Sequence, residues 1–174
     1  VKIKSVTYGG TGCPQDTLNV DINADASLMP LYFSRYVAAV GPGASVTDQR
    51  KFCQLNIELE LPAGFQFSIW RAEYHGYAQL ERGVAGSIKS TYYFSGETDQ
   101  TSSEITFAGP FTGQYTKNDE EFITSWSQCG GTTMLNMKTQ LALTTDNANA
   151  SGVLANDELD GHVTNVLHAQ WRRC

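Results

Sequence analysis

Apolar and polar residues alternate along much of the chain with a period of two. In the segment CQLNIELELP every second residue is apolar, at Cys53, Leu55, Ile57, Leu59 and Leu61. Successive side chains of a β-strand point to opposite faces of its sheet. The pattern therefore predicts a strand with one buried face and one solvated, acidic face.

The alternation changes phase in the segment that follows. Phe65, Phe67 and Ile69 continue it after the turn PAG, whereas the apolar residues from Trp70 onward occupy the opposite phase. A slip of one residue moves side chains to the other face of a sheet. We therefore expect a β-bulge near Ile69 and Trp70, or a strand that passes from one sheet to another.

Further β-rich segments follow, namely SIKSTYYFSG, SEITFAG, EFITSW, TMLNMKTQLAL and HVTNVLHAQW. About ten candidate strands are separated by turn residues, with at most a short helix around Leu31 to Val40. Many short strands without intervening amphipathic helices are typical of antiparallel sandwiches. We expect an all-β fold, an antiparallel β-sandwich of jelly-roll type, formed by residues 1–174 as a single domain.

The composition indicates an extracellular protein. Charged residues make up 17% of the chain, against about 25% in typical globular proteins. The net charge of −6 opposes binding to nucleic acid or to an anionic membrane. There is no apolar run of membrane-spanning length, and the chain opens with Val1 and Lys2 rather than with a leader. We expect a secreted protein whose signal peptide has been removed.

Four widely spaced cysteines, Cys13, Cys53, Cys129 and Cys174, predict two disulfides. They form no CxxC pair, so a zinc knuckle or a dithiol redox site is disfavoured. Sequential, nested and crossed pairings are all open, and we take the sequential one, Cys13 with Cys53 and Cys129 with Cys174. Each bridge would then close a loop of about 40 residues and contribute at most about 4 kcal/mol.

A second signal of secretion is the triplet Asn149-Ala150-Ser151, an acceptor pattern for N-glycosylation. It lies in the polar, turn-prone stretch TTDNANASG, so Asn149 is expected to be exposed.

Six segments, TYGGTGCP, FCQLNIELELPAGFQFSI, YHGYAQLERG, YYFSG, FAGPFTGQY and WSQCGG, together resemble the domain-of-unknown-function family 4360, small secreted proteins of fungi and some bacteria. The resemblance covers nearly the whole chain, and its most specific parts are GTGCP and CQL. The chain departs from the family pattern at Phe52 and Gln128, where a polar residue and a proline are expected. The resemblance implies secretion, two disulfides and one β-rich domain, and it supplies no catalytic residues.

Common catalytic and cofactor motifs are absent. The glycines of YGGTGCP do not match a phosphate-binding loop, and neither GxSxG nor HExxH occurs. We expect this stretch to be a tight backbone path that brings Cys13 to its partner. The three histidines His75, His162 and His168 have no local spacing typical of a metal site.

Two acidic patterns leave open alternatives. Asp157, Glu158 and Asp160 in NDELDGH are candidate ligands of an irregular calcium loop. The alternative is that they form a solvated acidic loop. An EF-hand is excluded because the twelfth position of its loop, which requires Glu, holds Leu167. No other cofactor is expected. Glu58 and Glu60, on one face of a strand, allow a glycan-active enzyme with two carboxylates, although an exposed strand face is the commoner meaning.

Aromatic residues carry the leading functional hypothesis. Trp70, Tyr74 and Tyr77 lie among many amide and hydroxyl side chains, and a sugar's C–H face can stack on an exposed ring while amides bond its hydroxyls. We expect a non-catalytic protein that binds polysaccharide or glycoprotein at a cell wall or other glycan-rich surface. The alternatives are a self-associating or host-interacting structural protein, and the two-carboxylate enzyme.

Overall fold

The computed structural model describes residues 1–120, 126–156 and 165–174. A 3-10 helix, Val46–Gln49, precedes the fifth strand. Within the described ranges no helix has the length and apolar character needed to cross a membrane. The strands in these ranges are β1 Lys2–Gly9, β2 Leu18–Val20, β3 Leu28–Phe33, β4 Val37–Val40, β5 Arg50–Leu61, β6 Phe65–Leu80, β7 Val84–Phe94, β8 Thr101–Ala108, β9 Phe111–Glu120, β10 Gly131–Thr145, β11 Gly152–Ala155 and β12 Asn165–Arg173.

The strands form two antiparallel sheets packed face to face, so the predicted β-sandwich is confirmed. One sheet has five strands in the order β1-β5-β10-β7-β8. The other has the order β2-β3-β12-β6-β11-β4, and β9 pairs with the free side of β6. The strand predicted at EFITSW lies, apart from Trp126, outside the described residues.

The core lies between the two sheets and follows the period-two pattern. Along β5 the side chains of Cys53, Leu55, Ile57 and Leu59 are buried, while the residues between them face outward. Every second residue of β10 is likewise buried from Leu135 to Leu143. The outward side chains of the five-stranded sheet are therefore free to form a surface of their own.

The predicted bulge is present in β6. Ile69 pairs with Ala169 and Arg71 pairs with His168, so Trp70 is the extra residue that has no partner in the register with β12. The bulge lets Ile69 and Ala72 both point into the core. It explains the phase slip without a change of sheet.

The sequence allowed at most a short helix around Leu31 to Val40, and none forms there. Residues 28–33 and 37–40 form β3 and β4, and β3 pairs with β2 and β12. Met29, Leu31 and Phe33 are buried at alternate positions. Burial between two neighbouring strands decides the conformation of a segment this short, whatever its local preference.

The two disulfides have the predicted sequential pairing. Cys13 bonds to Cys53 and Cys129 bonds to Cys174, with Cα–Cα distances of 5.4 and 6.1 Å. The first holds the loop after β1 against β5. The second holds the end of β12 near the β5–β6 turn, where the Cys174 N–H donates to the Gly64 carbonyl.

A polar groove as candidate functional site

The outward side chains of β5, β10 and β7 form a regular array, because their registers run without interruption. Phe52 of β5 lies opposite Gln140 of β10, and Gln140 lies opposite Lys89 of β7. In the next row Gln54 lies opposite Lys138. Directly opposed side chains lie roughly 5 Å apart at Cβ. Residues distant in sequence therefore form one continuous surface.

This surface contains two adjoining depressions, which together we call the polar groove. Short side chains allow the first depression to form, with a volume of about 430 Å³; its lining includes Arg50, Ser87, Glu104, Thr106 and Ala142. The second has a volume of about 370 Å³ and is lined in part by Phe52, Gln54, Thr91 and Lys138. Lys89 and Gln140 line both depressions, so the groove is continuous across them.

Phe52 is an exposed aromatic residue in this groove, with 51% of its surface accessible. Its backbone is held by the loop after β1. The Phe52 carbonyl accepts from the Gly12 N–H at 2.8 Å, and the Phe52 N–H donates to the Thr11 hydroxyl at 3.2 Å. The neighbouring Cys53 is bonded to Cys13. The disulfide and two hydrogen bonds thus hold the backbone from which the ring projects.

Two glycines allow this loop to come so close. Gly10 has a φ of +141°, and a Cβ there would collide with the Phe52 carbonyl. A Cβ on Gly12 would collide with the buried ring of Tyr36. The sequence YGGTGCP is therefore a support for β5, as expected of a structural staple, and it also borders the groove.

The groove is rich in cations. Arg50, Lys89 and Lys138 line it, and Glu104 is its one acidic lining residue in the described part of the chain. Glu104 is the register partner of Lys89 on β8. Within the described ranges, no carboxylate lies within 4.0 Å of the side-chain nitrogens of these three cations.

The three aromatic residues singled out from the sequence lie in β6, on the other sheet, and they do not form one platform. Trp70 is 43% exposed at the bulge and Tyr77 is half-buried on the outer face. Tyr74 is fully buried, and its assignment to a glycan-binding surface is wrong. The phase of the alternation after the bulge turns Tyr74 inward and Tyr77 outward.

Tyr74 instead belongs to a buried polar network between the sheets. Its hydroxyl bonds to that of Tyr92, which donates to Asp119 at 2.9 Å. Lys117 Nζ lies 2.6 and 2.7 Å from the two Asp119 oxygens. Burial, with Asp119 adding to it, raises the pKa of Tyr74, while burial lowers the pKa of Lys117 against the opposing effect of Asp119. Because the network is closed to solvent, its role is structural.

Trp70 borders a group of charged residues on the outer face of its sheet. Its ring meets the His168 ring edge-on, with centroids 5.5 Å apart. The Glu73 carboxylate lies 2.6 Å from Arg71 and 3.6 Å from each of His75 and His168. Glu73 thus lies in ion-pair range of all three, although Arg71 Nε and His168 Nε2 have no hydrogen-bond partner in the part of the chain that the structure describes. In the described residues no group of three or more His, Cys, Asp or Glu side chains could hold a metal ion.

The remaining candidates are dispersed. Glu58 accepts a hydrogen bond from Ser5 and lies 3.6 Å from Lys4, and the neighbouring outward position on β5 is the exposed Glu60. Asn149 is exposed in the turn between β10 and β11. The candidate calcium ligands Asp157, Glu158 and Asp160, together with His162, lie outside the described residues.

Sequence reasoning did not find the residues of the polar groove. Their outward orientation follows from the alternation of apolar and polar residues in β5, β7 and β10, which the sequence shows. Which outward residues become neighbours depends on strand order and register, which a single sequence does not show.

The family of the chain is clear from comparison with known proteins. The match to the family described as a domain of unknown function (DUF4360) covers residues 1–174. The chain belongs to this family. An uncharacterized secreted protein of Arthroderma benhamiae is 48% identical over 176 residues, which cover 100% of this chain and 72% of the relative. The resemblance noted from the sequence is confirmed, and this DUF4360 protein is secreted.

Solved structures of other proteins are also similar to this DUF4360 chain. One is TmCBM61 in complex with beta-1,4-galactotriose, with a TM-score of 0.30 and 14% identity over 99% of this chain and 90% of that chain. Another is CBM28, a carbohydrate-binding module specific for non-crystalline cellulose, with a TM-score of 0.39 and 12% identity over 86% of this chain and 82% of that chain. Similarity at this level transfers no binding site to this chain.

Proposed function

We propose that this secreted protein binds a glycan chain in the polar groove and acts by binding rather than by catalysis. The observation that carries the proposal is the exposed ring of Phe52, on a backbone held by the loop after β1, beside amide, hydroxyl and ammonium side chains in one continuous depression. Because the protein is secreted, the glycan would be met outside the cell, at a cell wall or another glycan-rich surface.

The chemistry of the groove matches that of a sugar. A sugar ring has apolar C–H faces, which stack on aromatic rings, and hydroxyls, which need directional donors and acceptors. Phe52 supplies an apolar face, and Gln54 and Gln140 each supply both kinds of hydrogen-bonding group. From β5 to β8 the groove crosses strands spaced about 4.8 Å apart, so it extends over roughly 14 Å. That length suits a run of sugar units better than a single ring.

The scarcity of carboxyl groups in the groove argues against hydrolysis. Glycosidases commonly use two carboxyl groups on opposite sides of the scissile bond. Of the described lining residues only Glu104 carries a carboxyl group. Glu58 and Glu60 lie on β5 beyond the outward positions that line the groove.

Affinity electrophoresis in gels containing soluble polysaccharides, with pull-down on insoluble ones, tests the proposal. We expect the wild-type protein to be retarded by at least one polysaccharide, and Phe52→Ala to weaken that binding about tenfold or more, as for a buried aromatic contact. Phe52→Tyr should retain it, because the ring face remains.

Trp70→Ala is the matched control, since it removes an exposed ring from the opposite sheet and should leave the affinity unchanged. Loss of binding in Trp70→Ala with retention in Phe52→Ala would move the site to the Trp70 face. No binding by the folded wild-type protein across neutral and acidic polysaccharides would overturn the proposal.

A further inference from the structure

We infer that the glycan bound in the polar groove is acidic, and that Arg50, Lys89 and Lys138 bind carboxylate groups on its sugar rings. The inference rests on the proposed function, because it names the ligand class of the same groove. It is carried by the arrangement of these three cations and by the absence, in the described part of the chain, of any carboxylate in ion-pair contact with them.

The three cations converge around Gln140. Lys138 precedes Gln140 by two residues on β10, so the two side chains share a face. Lys89 is directly opposite Gln140 on β7. Arg50 is diagonal to it, because Arg50 pairs with Ala142 and Phe52 pairs with Gln140. Diagonal neighbours lie roughly 7 to 8 Å apart, within reach of long side chains. All three charged groups can therefore approach one ligand that lies over Gln140.

These cations differ from others on the surface. Lys4, Lys51 and Arg71 each lie within 3.6 Å of a carboxylate. In the described part of the chain, Arg50, Lys89 and Lys138 have no such partner within 4.0 Å. Three positive charges face Glu104 as the one acidic residue in the described lining, so the cations repel one another on balance, and an anionic ligand would relieve that repulsion. A concentration of cations in one groove is notable in a chain with 12 basic and 18 acidic residues.

The residues beside the cations favour a sugar carboxylate over a small inorganic anion. Phe52 offers an apolar face that an inorganic ion cannot use, whereas a uronic acid has both a ring face and a carboxylate. Arg50 can bind a carboxylate through two parallel N–H donors, and a lysine supplies a compact positive charge. Glu104 borders the groove on the β8 side. The acidic groups of the ligand should therefore lie over β5, β10 and β7.

The test compares an acidic polymer with its neutral form. Polygalacturonate and the same polymer with methyl-esterified carboxyls have the same backbone, so their difference in affinity reports the carboxylates. By isothermal titration calorimetry in low salt, we expect wild type to bind polygalacturonate about tenfold or more tightly than its ester. Affinity for the acidic form should fall when salt is raised, because exposed charges are screened beyond a Debye length of about 10 Å at 0.1 M ionic strength.

The decisive variant is Lys89→Gln/Lys138→Gln, which keeps a polar, unbranched side chain one atom shorter than lysine and removes two positive charges from the groove. It should lower affinity for polygalacturonate about tenfold or more, while binding to the ester changes little. The control Lys2→Gln/Arg35→Gln removes the same charge from exposed positions outside the groove and should bind like wild type. Circular dichroism and thermal melting confirm that each variant is folded.

The outcomes separate this inference from the proposed function. If wild type binds the ester or another neutral glycan as tightly as polygalacturonate, and Phe52→Ala abolishes that binding, the groove binds glycans and the acidic specificity is wrong. Equal losses in both double variants would attribute the effect to overall charge and also overturn the inference. If the folded protein binds neither acidic nor neutral polymers, the proposed function fails with it.

Discussion

Tyr74 and Phe52 show how much one residue's environment depends on local register. Tyr74 follows the bulge at Trp70, and the slip of one position directs it into the core. The alternation after the bulge was visible in the sequence and was sufficient to predict this orientation. Phe52 was visible as an outward residue on β5, but its neighbours Gln140 and Lys89 come from strands more than thirty positions away. No local pattern brings those three together.

The buried tyrosines make stability depend on alkaline pH. Burial raises the pKa of Tyr36 and of Tyr74. Above pH 10 both keep their protons in the folded protein, whereas unfolded tyrosines ionise near pH 10. The unfolded state then binds fewer protons, so the free energy of unfolding falls as pH rises, by about 1.4 kcal/mol per pH unit for each such group. The lowered pKa of Lys117 acts in the opposite sense only below the ordinary lysine value of 10.5.

Urea unfolding at pH 8, 10.5 and 11.5 measures this dependence, and Tyr36→Phe isolates one contribution to it. At pH 8 the variant should lose about 1 kcal/mol, because the buried Thr139 hydroxyl loses its 2.7 Å bond to Tyr36. Between pH 10.5 and 11.5 its free energy of unfolding should fall less steeply than that of wild type, with a slope smaller by about 1.4 kcal/mol per pH unit. The same slope in both proteins would show that Tyr36 ionises normally in the fold.

At the scale of strands and loops, the alternation of apolar and polar residues predicted the structure well where it ran over many residues. The alternation in β5 and the phase slip in β6 both correspond to observed features. Residues 31–40 were misassigned because the segment is short, and its strands are stabilised by pairing with β2, β12 and β11. These partners lie elsewhere in the chain, so local residues could not indicate them.

The Cys13–Cys53 disulfide joins the loop after β1 to the strand that carries Phe52, so under the proposed function it should affect both stability and binding. Its removal in Cys13→Ala/Cys53→Ala opens a loop with a sequence separation of 40 residues and should cost about 3 to 4 kcal/mol in denaturant unfolding. The glycan affinity of the folded variant should also fall, because the loop no longer fixes the Phe52 backbone.

Cys129→Ala/Cys174→Ala is the matched comparison. Its sequence separation of 45 residues is similar, so the loss of stability should be similar, but the bridge lies beside the β5–β6 turn and not against Phe52. Its glycan affinity should match that of wild type. Equal binding by both double variants would show that the loop after β1 does not support the groove.

For the molecule as a whole, the fold was predictable and the groove was not. Period-two alternation and spaced cysteines indicate a disulfide-bonded sandwich by general physical rules. The groove depends on β10 lying between β5 and β7. The same alternating pattern is compatible with other strand orders, so it does not predict this one. The secreted relative supports the extracellular location, and the family match adds no site.

Asn149 should carry an N-linked glycan when the protein passes through a eukaryotic secretory pathway. It is exposed in a turn, and its side chain is therefore open to modification. Intact-mass measurement should show heterogeneous added mass that an endoglycosidase removes. Asn149→Gln and Ser151→Ala should each lack it, and unmodified wild-type protein from such a host would contradict the prediction.

The restrained backbone of Phe52 also bears on which polymers the groove would favour. Its strand, the adjoining disulfide and the two loop hydrogen bonds already restrict its backbone before a ligand binds. The Phe52 backbone would then lose little further freedom on association, whereas the glycan would lose much of its own. Between two chains of the same composition, the stiffer one would lose less freedom and bind more tightly, so polymer rigidity would contribute to selectivity alongside charge.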